Sequence, residues 1–161
     1  RVHGSRSEYH HHLIGMNSRL DALQAAVLLV KFQRLGEWTA KRQENAASYH
    51  RLFQEANLLD RVILPVVKPG YQHVFNQFTI RTPCRDELSA FLTEKGIGNR
   101  IYYPVPLHLQ ECYRELGYRK GDFPVAEQAA QEVLSLPIYP ELTLEQLDYV
   151  VDAIKSFFDR R

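Results

Sequence analysis

At 161 residues with 45% hydrophobic side chains, the chain is long enough to bury one sizeable core or to contribute to a larger one. Its formal net charge of +1 is spread without a basic or acidic block, which argues against nucleic-acid binding through a charged face. No apolar run approaches the ~20 residues that cross a bilayer, and no secretory leader is visible. The cysteines Cys84 and Cys112 keep no metal-like or redox-like spacing, so free thiols in a reducing cytoplasm are expected.

The chain starts at Arg1 with no initiator Met and reads as a piece of a longer polypeptide. Residues 1–17 are polar and His-rich, as a connecting segment would be. Within them His10-His11-His12 invites a metal reading. Adjacent His side chains on a strand or helix cannot all face one ion, and no carboxylate or Cys stands at ligand spacing. No metal site is expected there, and the run offers one His at most to a pocket.

The stretch Gly15-Met16-Asn17-Ser18-Arg19-Leu20-Asp21 combines a free backbone, an amide donor and a Ser-x-x-Asp helix start. The first turn of a helix leaves N–H groups unpaired and carries partial positive charge, so this corner suits an anion such as phosphate. A capped, buried helix with Asn17 in its turn is the other reading, and both stay open here. From Ser18 to about Leu35 apolar residues cover nearly every face, which predicts a buried helix. Gly36 marks a bend. Glu37 to Ala56, with Trp38, Ala46, Ala47, Tyr49, Leu52 and Phe53 among charges, reads as an amphipathic helix.

After Asn57 the pattern turns α/β, so the chain divides into residues 1–57, a connecting segment with long helices, and residues 58–161, a small α+β domain. Val62 to Val67 is extended and confined by Pro65 to an edge or a connection. Val74 to Thr82 is a strand, and Arg85 to Lys95 a helix stopped by Gly96. Asn99 to Tyr103 is a second strand, closed by Pro104 and Pro106. A short helix follows over 110–116, and another over Phe123 to Leu134 with Pro124 in its first turn. The last helix carries the stripe Leu144, Leu147, Val150, Val151, Ile154, Phe157 and Phe158 behind a Thr143-x-x-Gln146 capping box. Helices set beside a small sheet predict an α+β fold.

Tyr102-Tyr103-Pro104-Val105-Pro106-Leu107-His108 ends a strand in a proline-stiffened loop. Such a loop either lines a ligand pocket or merely packs its aromatics and leaves His108 solvated.

Four separated strings add a further signal. "RVHGS", "YHHHLIGMNSRLDALQAAVLLVKF", "GNRIYYPVPLHLQ" and "GDFPVAEQAAQEVLSLP" follow one another along essentially the entire chain. In that order they resemble the C-terminal part of the pyridoxal-phosphate (PLP) sugar aminotransferases of the DegT/DnrJ/StrS family. The resemblance implies the C-terminal portion of a type I aminotransferase fold, the large PLP-binding domain lying upstream. It implies a homodimer with shared active sites that moves an amino group from an amino acid, usually glutamate, to a nucleotide-linked keto-sugar. On the matching positions Asn17 reaches the PLP phosphate of the other subunit. Arg19 contacts the acidic donor or the sugar, its alternative being a salt bridge with Asp21 or Glu37. Tyr103 and His108 line the nucleotide-sugar site, and His12 lies close to the pocket.

A PLP transaminase needs one lysine amine as anchor and proton shuttle. Lys31, Lys41, Lys68, Lys95, Lys120 and Lys155 are the lysines present, and none matches the family's lysine motif, which lies upstream of "RVHGS". The chain therefore carries no catalytic residue of its own and is expected to be inactive alone. Two alternatives are a sibling sugar dehydratase, in which the anchor lysine is replaced, and a non-catalytic truncated binding module. The upstream sequence separates all three.

Overall fold

The computed structural model describes residues 5–7, 10–11 and 13–160. The chain divides into two compact units, Arg1–Glu37 and Trp38–Arg161.

In the first unit a short antiparallel pair, β1 (Ser5–Ser7) with β2 (His10–His11), precedes helix α1 (Ala22–Phe32). The helix begins at Ala22 and not at Ser18 because Asp21 is its N-cap: the Leu23 N–H donates to the Asp21 carboxylate at 2.9 Å. Every residue of α1 is at least partly open, and Leu23, Leu28, Leu29, Val30 and Phe32 are each more than half exposed. The burial expected of this helix is thus not supplied by the described residues of the first unit. After Phe32 the chain turns at Gln33 and Arg34 and restarts as α2 (Leu35–Glu55), so the break comes just before Gly36.

The second unit is built on alternation. Strand β3 (Phe78–Arg81) pairs antiparallel with β4 (Val133–Leu136), Phe78 opposite Leu136 and Ile80 opposite Leu134. These four side chains share one face and are almost fully buried. On the other face the Thr79 and Ser135 hydroxyls hydrogen-bond at 2.8 Å. Single bridges extend the pair on both sides, Ile63 to Arg81 and Arg100 to Ser135.

Three helices close over the inner face. Helix α2 lays Ala46, Tyr49 and Phe53 into the core, and the Tyr49 hydroxyl donates to the Pro137 carbonyl at 3.0 Å. Helices α3 (Arg85–Glu94) and α5 (Leu144–Phe158) contribute Leu88, Leu92, Leu147, Val150, Val151, Ile154 and Phe157. Helix α5 starts at the expected box: the Gln146 N–H donates to Thr143 Oγ1, and the Gln146 side chain accepts from the Thr143 N–H. Since α2 belongs to this core, the units part near residue 37 and not at the expected boundary after Asn57.

Two further expectations are corrected. The helix expected to reach Leu134 ends as α4 (Pro124–Glu132), and Val133 to Leu136 become β4. Pairing with β3 outweighs continued helix there, and the buried Arg85 guanidinium takes the freed Ala130 and Val133 carbonyls at 3.1 Å each. The expected strand from Asn99 to Tyr103 reduces to the Arg100 bridge. Asn99 instead folds its side chain back to Ser89, Thr93 and Ile97.

Candidate functional site

The loop after Arg100 and the first turns of α4 enclose a cleft of about 590 Å³. One wall is Tyr102, Tyr103, Val105, Pro106, Leu107 and His108, and the other is Phe123, Ala126, Ala129, Ala130 and Val133. The prolines and a turn of 3-10 helix over Leu107–Leu109 fix the first wall. The small alanines of α4, spaced along one face, leave room on the second. Few polar groups enter this apolar space, as is usual where a ligand is oriented by a handful of contacts.

His108 is not solvated. Its side chain is only 8% exposed, and Nε2 lies 2.9 Å from Oε1 of Glu127, itself 10% exposed. The ring packs on Phe123, centroids 4.8 Å apart. Glu127 also accepts from the Gly121 N–H at 2.8 and 3.0 Å and from the Phe123 N–H at 3.4 Å. These donors, Gly121 first and then His108 and Phe123, hold the Glu127 carboxyl below the ordinary carboxylate range despite its burial. Gly121 can turn its N–H inward because its φ of +101° is open to glycine at little cost.

Tyr103 and His108 therefore share one cleft, Tyr103 on its exposed rim and His108 in its wall. Asn17 and Arg19 lie in the first unit, both exposed. The carboxylates weighed as salt-bridge partners of Arg19 are engaged elsewhere, Asp21 in capping α1 and Glu37 with Arg34 at 3.5 Å. His12 lies outside the described residues. The sequence reading missed Glu127. Its signal was a lone acidic residue in the first turn of a Pro-started helix that otherwise turns alanines to the cleft, a place where a carboxylate can reach back to the preceding N–H groups.

No described helix is long and apolar enough to cross a membrane. The chain is 54% identical over 158 residues to a protein named pleiotropic regulatory protein from Geobacillus stearothermophilus, covering 98% of this chain and 42% of that one. It is 41% identical over 160 residues to the dTDP-3-amino-3,4,6-trideoxy-alpha-D-glucose transaminase of Streptomyces venezuelae, covering 99% of this chain and 41% of the relative. The crystal structure of S. venezuelae DesV in complex with a ketimine intermediate matches it with a TM-score of 0.89 at 40% identity, over 100% of this chain and 43% of that one. The chain thus spans about two fifths of the length of the curated relatives it matches. The DegT/DnrJ/EryC1/StrS aminotransferase family model matches residues 1–155, and the chain belongs to that family.

Proposed function

We propose that this chain is the C-terminal portion of a type I aminotransferase-fold enzyme. With PLP, the intact protein moves an amino group from an amino acid, glutamate in the family expectation, to a nucleotide-linked keto-sugar. The observation that carries the reading is the likeness of the whole chain, in sequence and in fold, to a dTDP-amino-sugar transaminase. The reaction is cytoplasmic. The enzyme is a homodimer whose large PLP-binding domain precedes this chain. The first unit, with its uncovered α1, sits between domains or subunits, and the second is the small C-terminal domain.

The residues present fit one part of the PLP site. Asn17 is an exposed amide, a group that can donate to a phosphate, whereas none of the chain's lysines matches the anchor motif. Bound PLP supplies the electron sink that lets the amino group move. Asn17 holds the phosphate of the neighbouring subunit's cofactor, and Arg19 meets the acidic donor or the sugar. Tyr103 and His108 form the nucleotide-sugar wall, with His12 near the pocket. Without the anchor, this chain treated with PLP and borohydride gives no stoichiometric pyridoxyl adduct at any single lysine. Such an adduct, found by peptide mapping, would contradict the assignment.

Subunit exchange tests the whole reading. Mixing an intact Asn17→Ala enzyme with an intact anchor-lysine mutant gives heterodimers in which one site holds both lesions and the other holds neither. Amino transfer to the keto-sugar nucleotide recovers in the mixture. Demonstrated exchange without recovery places Asn17 in its own subunit's site and overturns the shared-site reading.

A further inference from the structure

A buried carboxylate persists in its charged form only where donors fill its lone pairs. At Glu127 those donors come from both walls of the cleft, because His108 belongs to one and Phe123 to the other. We infer that Glu127 is a positioning residue for nucleotide-sugar binding: its carboxylate ties the His108 imidazole to the Gly121–Phe123 backbone and so sets the separation and the proton arrangement of the cleft walls. This rests on the cleft being the nucleotide-sugar site.

The proton arrangement follows from the chemistry of the pair. An ionised carboxylate only accepts, so the His108 Nε2 beside it carries the proton. In the neutral imidazole, Nδ1 then holds a lone pair and makes no bond to any described residue. In a wall that also carries Tyr102, Tyr103, Val105, Pro106 and Leu107, that lone pair is an acceptor for a sugar hydroxyl. Among the described residues no Arg or Lys side chain makes an ion pair with Glu127, so no described cation competes for the carboxylate's hold on His108. Glu127 does not touch the ligand; it acts through His108 and through the loop that starts α4.

Glu127→Gln in the intact enzyme separates this role from simple packing. A glutamine that keeps its carbonyl on the Gly121 N–H turns its amide N–H toward Nε2, so His108 must move its proton to Nδ1. ¹⁵N-histidine NMR of the variant, with His108 identified by His108→Gln, is expected to show that switch. Affinity for dTDP-glucose and UDP-N-acetylglucosamine, used as probes in calorimetry, is expected to fall about tenfold to hundredfold. The KM for the sugar substrate rises by more than kcat falls. Glu127→Ala, which loses both ties, weakens probe binding further; should that variant fail to fold, Glu127→Gln decides. Wild-type probe affinity with the tautomer switched, or an unswitched tautomer, overturns the inference while the cleft assignment stands. A wild-type enzyme that binds neither probe overturns the cleft assignment, and the inference with it.

Discussion

Helices α1 and α5 are both strongly apolar, yet they end in opposite environments. Helix α5 confines its apolar residues to one stripe, and Leu147, Val151 and Ile154 are almost completely buried against β3, β4 and α3. Helix α1 is apolar on nearly all sides, and no residue of it is buried. The contrast teaches that an apolar stripe reports a partner inside the same unit, whereas all-round apolarity reports partners beyond it.

The largest expected effect that would break this comparison comes from paired truncations. Phe53→Ala, at a fully buried site, is expected to cost about 3–5 kcal/mol of unfolding free energy in urea. Leu29→Ser in α1, a mostly exposed position, should change it by less than about 0.5 kcal/mol while reducing self-association in sedimentation. Equal losses would mean that α1 is packed as firmly as the core.

In the intact enzyme, Asn17→Ala should weaken PLP binding by about 1.5–3 kcal/mol, roughly tenfold to hundredfold, and leave the melting temperature of the PLP-free protein unchanged. Equal PLP dissociation constants in mutant and wild type would remove the phosphate role and leave Asn17 a turn residue.

Caps sharpen the comparison at a smaller scale. Thr143→Ala should destabilise the second unit by about 1 kcal/mol, because it opens a formed capping box. Ser18→Ala should leave stability unaltered, because α1 is capped by Asp21. A thermal shift for Ser18→Ala as large as that for Thr143→Ala would place the start of α1 at Ser18 after all.

The smallest effects are those of pH. Burial, opposed by a hydrogen bond with Pro65, lowers the His50 pKa below its ordinary value. The unfolded chain therefore takes up that proton first. The contribution of His50 is full above the ordinary histidine value and declines as pH falls through it. Glu132 is held low by Gln128 and then Arg81. Its contribution is full above the ordinary carboxylate range and is lost only as pH falls through the lowered folded value. Urea midpoints measured across pH should show two separate declines. His50→Gln should abolish the one that sets in as pH falls below the ordinary histidine value and spare the acid one.

Much of the fold was legible because its signals are local. The Thr143–Gln146 box, the Pro124 start of α4 and the stop of α3 before Gly96 each depend on residues within a turn of one another, and each stands where the spacing put it. What failed depended on distant partners. Val133 to Leu136 continue a helical pattern by themselves and become a strand only because Phe78 to Arg81 lie alongside. Asn99 to Tyr103 has strand composition, but its pairing stops at one bridge.

The site divides the same way. The sequence by itself determined the family strings, the proline-fixed Tyr102–His108 loop and the lack of a lysine matching the anchor motif, since these are properties of residue type and order. Only the tertiary structure decided that His108 is a buried strut and that Glu127, 19 residues away, holds it. A hydrogen bond between two such side chains leaves no periodicity to read. It exists because the loop before α4 folds its Gly121 and Phe123 N–H groups around the same carboxylate, and that geometry is set by packing rather than by spacing.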